Sequence, residues 1–318
     1  MISLLTKKRG LLKLSPDNFV WYMLTALLIF SAVSSPIFLT FRNMKNVFLI
    51  QPVGLGIASL AQALIMISGG IDMSIGASVS LLTTMAAAIF KTMPDVSLLV
   101  VFLSILFVSM LIGSLNGFLV VVLRIPAFMG TLATSSILQG LIYFYTKKPI
   151  GGIPKSFRAI AEGKFLGIPM SFLFFLMIFI LVFLLLRKHK AGKLVYAVGS
   201  DQHISQISGI AVNKVRFFTY VLGGMLVGLA SVFLAARMGG GGPTAGSGYE
   251  LDTITASVIG GISLAGGFGN PLGIIGGVLT LSIFSNIMNL LDINPYIQMF
   301  LKGAILILAA AFNKKKEK

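Results

Sequence analysis

The chain has no cysteine, two histidines and nine acidic residues among its 318 residues. Without cysteine, it has no disulfide, thiolate metal site or cysteine nucleophile. The histidines, His189 and His203, lie in one basic stretch and are too few for a zinc site. Charged residues make up 11% of the chain, whereas a soluble domain has about a quarter. The sequence therefore predicts a polytopic membrane protein without a metal centre.

The sequence also lacks the common motifs of ATP-using and hydrolytic enzymes. Gly163-Lys164 and Gly192-Lys193 are each followed by an apolar residue, so neither completes a phosphate-binding GxxxxGK[ST] loop. No HExxH or GxSxG motif occurs. We therefore expect no catalytic residue and no cofactor on this chain, and an energy source that is a partner or a gradient.

The residues that are abundant fit a membrane protein. Hydrophobic residues make up 56% of the chain, and 35 glycines allow close packing of transmembrane helices. The formal net charge is +16. The basic residues lie in short loops between apolar runs, as on the cytoplasmic face of a membrane protein. We expect contact with lipid and none with nucleic acid.

About ten apolar segments are long enough to cross or half-cross a bilayer. They are predicted at 19–38, 47–67, 73–90, 97–123, 127–146, 171–186, 217–236, 253–265, 271–291 and 296–312. An even number places both termini on one side, and the larger count of Lys and Arg predicts that this side is cytoplasmic. The chain then divides into a cytoplasmic segment 1–18, a transmembrane domain 19–312 and a basic cytoplasmic tail 313–318. We expect the first segment to be an uncleaved helix and not a signal peptide.

One polar interruption lies within the predicted helices. Asp72 follows Gly69-Gly70 in the stretch MISGGIDMSIGASVS, 66–80. Adjacent glycines weaken a helix, and a carboxylate at membrane depth costs roughly 2.5–3.5 kcal/mol. A broken helix that lines a polar cavity accommodates both features. The alternative is that Asp72 caps a helix start, and the two interpretations are compatible.

A second glycine pair, Gly260-Gly261, ends a later apolar run in the same way. Two interrupted helices at matching places point to a transport site. Lys302 lies in the last predicted span. Either it pairs with Asp72, Asp252 or Asp292, or its ammonium group extends to the outer interface, and the second interpretation is favoured.

Three longer polar stretches connect the spans. Loop 147–170 and the glycine-rich loop 237–252, predicted to be irregular, fall on the external side. Segment 187–216 is basic and holds a short amphipathic stretch, 201–208, between two glycines. A short helix on a membrane surface suits contact with a soluble partner. The alternative is a solvated loop that binds anionic lipid headgroups.

Four motifs together resemble the permease subunits of ribose-type ABC sugar importers. They are SGGIDMSIGAS, NGFLVVVLRIPAFMGTLATSSILQG, YELDTITASVIGGISLAGGFGNPLGIIGGVL and AGKLVYAVGSDQHISQISGI. The sequence departs from the family at Met73, usually leucine, at Gln206 and Ile207, where alanine is frequent, and at Phe268 and Asn270, where arginine or serine is common. The resemblance covers nearly the whole chain.

This resemblance implies an all-α, type II ABC importer-like permease in the inner or plasma membrane that carries a ribose-, galactose- or xylose-like monosaccharide. It implies three partners: an ATPase with two nucleotide-binding domains, which binds ATP and Mg²⁺; a second permease chain, identical or paralogous; and an extracytoplasmic sugar-binding protein that faces loops 147–170 and 237–252. Segment 187–216 becomes the coupling loop that contacts the ATPase.

The residues expected at these sites form two sets. Polar or aromatic side chains that could line the substrate pathway, or alternatively hold helices together, are Asp72, Ser74, Ser78, Asn116, Phe128, Thr131, Thr134 and Gln139. Residues of the coupling loop expected at the ATPase contact are Gly199, Asp201, Ile204, Ile207, Ser208 and Gly209.

Other functions remain open at this point. An ABC permease for a nucleoside, a signalling furanose or an amino acid has the same fold and mechanism. A gradient-driven secondary transporter belongs to a different class, and the scarcity of intramembrane acidic residues disfavours it. A membrane scaffold without transport is disfavoured by the broken helices.

Overall fold

The computed structural model describes residues 19–314. The predicted cytoplasmic segment 1–18 and the last four tail residues, 315–318, lie outside the described residues. Thirteen helices form within the described range: α1 Phe19–Ser34, α2 Phe41–Ile67, α3 Ile75–Thr92, α4 Leu98–Val122, α5 Ala127–Tyr145, α6 Lys155–Glu162, α7 Met170–Arg187, α8 Lys190–Ser200, α9 Gln202–Ile207, α10 Val212–Met238, α11 Tyr249–Ile259, α12 Pro271–Leu290 and α13 Pro295–Lys314.

Seven of the described helices are long and apolar enough to cross a membrane: α2, α3, α4, α5, α7, α10 and α12. Two shorter apolar helices, Val20–Ser34 and Pro295–Ala311, lie at the two ends of the described chain. The half-length helix α11 completes the expected number of about ten. The fold is therefore the predicted all-α polytopic one. Helix α2 contains a π-helical turn, Asn46–Ile50, just before Pro52.

The core consists of α2, α3, α10 and α12, which have two thirds or more of their apolar windows buried. Small residues bring some of these helices very close to their neighbours. A Cβ added to Gly113 of α4 would lie 3.1 Å from the Cα atom of Gly224 in α10. Such backbone contact gives van der Waals packing where lipid supplies no hydrophobic driving force.

By contrast, α4, α5 and α7 have a third or less of their apolar windows buried. Their exposed side chains include Phe107, Phe144 and Leu181. These faces suit contact with lipid or with another membrane chain.

The long polar stretches contain more secondary structure than expected. Segment 187–216 is mostly helical, because α8 and α9 form within it and α10 already begins at Val212. Of the glycine-rich stretch 237–252, only 239–248 lies between helices, since α10 continues to Met238 and α11 begins at Tyr249. Stretch 147–170 contains α6 and a hairpin of β2 (Lys164–Phe165) and β3 (Ile168–Pro169).

A two-residue strand pair joins two of these stretches. β1 (Ile150–Gly151) pairs antiparallel with β4 (Gly240–Gly241). This pairing marks one end of the helix bundle, called the α6 side below. Helices α8 and α9 mark the opposite end, called the α8–α9 side, since α7 and α10 cross between the two ends.

The favoured interpretation of Lys302 was wrong. Its Nζ lies 2.7 Å from Oδ2 of Asp252, which joins α13 to α11. The side chains of Lys302 and Asp252 are 26% and 17% exposed. A charge that is mostly, though not fully, removed from water is stabilised by an opposite charge more than by extension to the interface. Asp72 is therefore not the only acidic residue within the helix bundle.

Candidate functional site

Two helix breaks share one backbone geometry. After α2, Gly69 adopts a left-handed φ of +82°, and after α11, Gly261 adopts +83°. In both breaks, the amide of this glycine donates to the carbonyl three residues earlier in the chain. The amide of the next residue, Gly70 or Ile262, donates to the carbonyl five residues earlier. These paired bonds are a Schellman motif, which needs a residue that tolerates positive φ. The predicted correspondence of the two glycine pairs is thus present in the backbone.

The two breaks meet at helix α8. The amide of Gly267 donates to the carbonyl of Ile67 over 2.9 Å, which joins the second break to the end of α2. A Cβ at Gly199 of α8 would overlap Ile67 O and lie 2.6 Å from Gly267 N. A Cβ at Gly266 would lie 2.9 Å from both Gly199 O and Gly69 Cα. We call these five residues the glycine junction, and it brings three backbone segments into direct contact.

Side chains of α8 add two bonds beside the junction. The Tyr196 hydroxyl donates to Gly269 O (2.8 Å), and the Ser200 hydroxyl donates to Gly267 O (3.4 Å). Burial raises the pKa of the Tyr196 hydroxyl, against an opposing effect of the Arg187 charge. The phenol therefore stays protonated and remains a donor at physiological pH.

Helix α9 presents the other predicted coupling residues at the surface. Asp201 caps it, its Oδ1 accepting from the amide of Ile204 over 2.8 Å. Ile204 and Ile207 are 58% and 72% exposed. Ser208 ends the helix, and Gly209 follows with a φ of +81°. Exposed isoleucines on a capped surface helix are typical of a protein contact.

The first break contains a buried hydrogen-bonded cluster. Oδ1 of Asp72 accepts from the amide and the hydroxyl of Ser74, over 2.8 and 2.7 Å. Asn116 of α4 donates to both carboxylate oxygens, over 3.2 and 3.3 Å. Thr131 of α5 accepts from the amide of Met73 over 2.9 Å. Asp72 is only 4% exposed. Asp72 lies in a broken helix, as predicted, and its carboxylate accepts from the Ser74 amide at the start of α3. The polar cavity expected at this break stays a prediction.

Tyr220 of α10 also supports this break, and the sequence analysis missed it. Its hydroxyl donates to Ile71 O over 3.3 Å, and the side chain is fully buried. A Cβ at Gly70 would lie 2.7 Å from the Tyr220 hydroxyl oxygen. The sequence did carry a signal for this role, namely an isolated tyrosine in a glycine-rich span, followed by Gly223-Gly224. A tyrosine buried in such a span needs a hydrogen-bond partner for its hydroxyl.

The remaining predicted lining residues are spread along α3 and α5. Ser78 and Thr134 are buried, Ser78 one helical turn beyond Ser74. Phe128 is 51% exposed. Gln139 lies towards the α6 side, where its Nε2 donates to Pro243 O over 3.0 Å. The structure thus gathers Asp72, Ser74, Asn116 and Thr131 and leaves Phe128 and Gln139 apart from them. Their role in a substrate pathway stays a prediction.

A basic cavity of about 880 Å³ opens on the α8–α9 side. Its lining includes Gly69 of the first break and the cationic residues Arg124, Lys214 and Arg216. Nη1 of Arg216 donates to Oε1 of Gln202 in α9 over 3.2 Å. The sequence analysis missed this cavity, since its residues come from three distant segments. It can accept an acidic group next to α9.

These features define the class of the protein as a polytopic, all-α membrane protein with two interrupted helices and an exposed surface helix. Residues 46–310 match the family described as branched-chain amino acid transport system / permease component. The chain belongs to this family, the permease components of ABC importers. No solved structure matches the chain significantly.

Named relatives cover most of the chain. The ribose import permease protein of Escherichia coli strain K12 is 34% identical over 302 residues, covering 92% of this chain and 93% of the relative. That of Bacillus subtilis strain 168 is 34% identical over 294 residues, covering 91% and 90%. The L-arabinose transport system permease protein of Escherichia coli strain K12 is 33% identical over 301 residues, covering 92% and 88%. The resemblance to ribose-type permeases is therefore confirmed.

Proposed function

We propose that this chain forms the membrane pathway of an ABC importer for a monosaccharide. The observation that carries the proposal is the similarity, at 34% identity over 92% of the chain, to a ribose import permease. The similarity to an L-arabinose permease at nearly equal identity supports a pentose. The helix breaks and the buried polar cluster at Asp72 supply the interrupted helices that such a pathway needs.

The proposal assigns three partners. An ATPase with two nucleotide-binding domains, carrying ATP and Mg²⁺, contacts the α8–α9 side, where Ile204 and Ile207 are exposed beside the basic cavity. A second permease chain, identical or paralogous, packs against exposed apolar helix faces. A sugar-binding protein delivers substrate to the α6 side. Both termini lie on the cytoplasmic side of the inner or plasma membrane, together with α8 and α9.

The glycine junction suggests how ATP hydrolysis moves the membrane helices. An ATPase that displaces α9 also displaces α8, because only Asp201 separates the two helices in the chain. Gly199 of α8 touches the backbones of Ile67 and Gly267 with no side chain between them. Close-packed backbone transmits such displacement instead of absorbing it. One movement of the surface helix therefore reaches both helix breaks together.

The experiment is ATP-driven uptake of labelled ribose into proteoliposomes that contain this chain, its ATPase and its binding protein. We expect uptake that needs ATP and all three components. No uptake is expected from the purified chain alone under an imposed proton or sodium gradient. Uptake driven by such a gradient would show a secondary transporter and contradict the proposal.

A second candidate substrate is a branched-chain amino acid, because the matched family carries that description. Labelled leucine in the same proteoliposomes separates the two candidates. We expect ribose uptake that excess unlabelled leucine does not reduce. Leucine uptake without ribose uptake would keep the ABC mechanism and change the substrate class. A nucleoside or a furanose signal molecule would appear as a competitor of ribose uptake.

A further inference from the structure

A second polar site lies on the α6 side, away from the Asp72 cluster. It is a cavity of about 170 Å³ between α3, α5 and the segment that joins α10 to α11. Pockets for drug-sized ligands measure roughly 300–1,000 Å³, so this one suits a smaller molecule. Its polar lining residues are Ser135, Gln139, Tyr143, Thr244, Ser247 and Glu250.

The segment 239–250 forms one wall of this cavity and enters the helix bundle alongside α3. Its strand β4 packs against Thr83 of α3. Further on, the amide of Gly246 donates to the Ser80 hydroxyl over 2.9 Å, and the Glu250 carboxylate then lies against Gly76. Thr83 and Gly76 are seven residues apart, roughly 10 Å along a helix at 1.5 Å per residue. The floor of the cavity therefore lies inside the span of α3.

Glycine at position 76 makes room for the carboxylate. A Cβ there would overlap Glu250 Oε2. The Glu250 carboxylate lies near the backbone amides of Gly248 and of Glu250 itself, which favour its charged form. It is half-buried, and its position in the first turn of α11 suits a negative charge. This arrangement fixes an acceptor at the cavity floor, with lone pairs left for a ligand.

The other lining groups complement hydroxyls. Gln139 donates through Nε2 to Pro243 O, which leaves its amide oxygen available as an acceptor. Serine, threonine and tyrosine hydroxyls both donate and accept. None of the lining residues described for this cavity is basic. Its chemistry therefore matches a neutral molecule with several hydroxyl groups and not an anion.

A polar stripe along α5 links this cavity to the first break. Thr131, Ser135, Gln139 and Tyr143 recur every four residues, which places them along one side of the helix. Thr131 belongs to the Asp72 cluster, since it accepts from the amide of Met73. The other three line the cavity. The stripe therefore runs from the α6 side towards the buried carboxylate of Asp72.

We propose that this cavity is a sugar-binding subsite of the permease itself, in which the Glu250 carboxylate accepts hydrogen bonds from two neighbouring hydroxyls of the sugar. This inference rests on the proposed function and adds the substrate contacts to it. The α5 stripe then offers the next polar groups as the sugar moves inwards. None of Ser135, Tyr143, Thr244, Ser247 or Glu250 was predicted as a site residue from the sequence.

The absence of native cysteine allows a direct test. Ser247→Cys places one thiol at the cavity, and Phe165→Cys places one on the β2–β3 hairpin, where Phe165 is 61% exposed. The rate of labelling by a small charged thiol reagent is measured on the permease–ATPase complex in detergent. We expect millimolar ribose to slow labelling of Ser247→Cys several-fold, leucine to leave it unchanged, and Phe165→Cys to respond to neither.

Glu250→Gln in the Ser247→Cys background separates ligand binding from folding. We expect the ribose-free labelling rate to persist and the protection by ribose to be lost. Ser135→Ala is the milder second variant and should weaken protection in the same assay if Glu250→Gln does not assemble. Unchanged labelling of Ser247→Cys with ribose, equal slowing at Phe165→Cys, protection by leucine, or protection that survives Glu250→Gln would overturn the subsite.

Ribose uptake by the wild-type importer is measured in parallel. ATP-driven uptake without protection at Ser247→Cys would overturn the subsite and leave the proposed function standing. Absence of ribose uptake would overturn the proposed function and the subsite with it.

Discussion

The two helix breaks have the same glycine cap but very different surroundings. In the first, 68–74, five of the seven residues are buried, and Asp72 is held by two side chains and a backbone amide. In the second, 260–270, most residues are exposed or half-buried, and no acidic residue occurs. The same glycine cap therefore occurs in two breaks with different mechanical roles. We interpret the first break as a fixed support and the second as a compliant one.

Backbone conformation gives the second break its compliance. Four of its glycines, Gly261, Gly266, Gly267 and Gly269, have positive φ values. Glycine carries the largest conformational freedom of any residue. The polar groups of the first break instead hold α3, α4 and α5 together. The glycine junction connects a rigid element to a flexible one, and the first prediction tests this connection.

Gly199→Ala should have the largest effect. Its Cβ would overlap Ile67 O, and backbone at both breaks would have to move apart. Overpacking of this kind typically costs about 1–3 kcal/mol. We expect ATP-driven uptake to be nearly abolished while ATP hydrolysis by the assembled complex continues. The measurement is the ratio of sugar transported to ATP hydrolysed.

Gly140→Ala is the matched control, because a Cβ at this α5 position meets no atom within 4 Å. It should leave the transport ratio unchanged. Normal coupling in Gly199→Ala would show that the junction does not transmit movement, and the contrast between the two breaks would then lose its functional meaning.

Asp72→Asn should have the next largest effect. The change removes the charge from hydrogen bonds with Ser74 and Asn116, and bonds to charged groups contribute about 1.5–3 kcal/mol each in net terms. We expect a lower thermal unfolding midpoint in detergent and weaker transport or assembly. Asp292→Asn, at an exposed turn, is the control. Wild-type uptake and expression of Asp72→Asn would contradict a supporting role for the first break.

Much of this contrast was predictable from the sequence. Hydropathy located the spans, and the pairs Gly69-Gly70 and Gly260-Gly261 located both breaks, because adjacent glycines interrupt a helix wherever they occur. Asp72 stood out since a carboxylate in an apolar stretch needs partners.

The contacts between the breaks were not predictable. The glycine junction joins Ile67, Gly199 and Gly267, which are far apart in the chain, and pattern analysis records only local spacing. The Lys302–Asp252 pair was misjudged for the same reason. Helix α9 falls within the short amphipathic stretch predicted at 201–208. Helix α8 was missed as a separate element, because short surface helices carry little periodic signal. Glu250 was overlooked because segment 237–252 was treated as an external loop.

Alanine at the two capping glycines tests whether the caps are equivalent. Gly69 and Gly261 have nearly identical φ values, +82° and +83°. A left-handed conformation costs a residue with a Cβ about 1–2 kcal/mol. We therefore expect Gly69→Ala and Gly261→Ala to lower unfolding midpoints by similar amounts, and asparagine at either position to lower them less. A much larger loss at Gly69 would show that packing, not backbone conformation, sets the difference between the breaks.

The smallest expected effect concerns the support of α11, which leads into the second break. Lys302 and Asp252 bond over 2.7 Å and are partly exposed, so solvent screens some of their attraction. Lys302→Met leaves the Asp252 carboxylate unpaired, whereas Lys302→Met with Asp252→Asn removes both charges. A double-mutant cycle on unfolding free energy in detergent should give a coupling of about 1 kcal/mol, within the range for contacting residues.

Because this pair lies outside the break itself, transport by the double variant should stay near that of the wild type. A loss as large as that of Asp72→Asn would show that the second break also depends on a buried charge, and that the two breaks are mechanically alike.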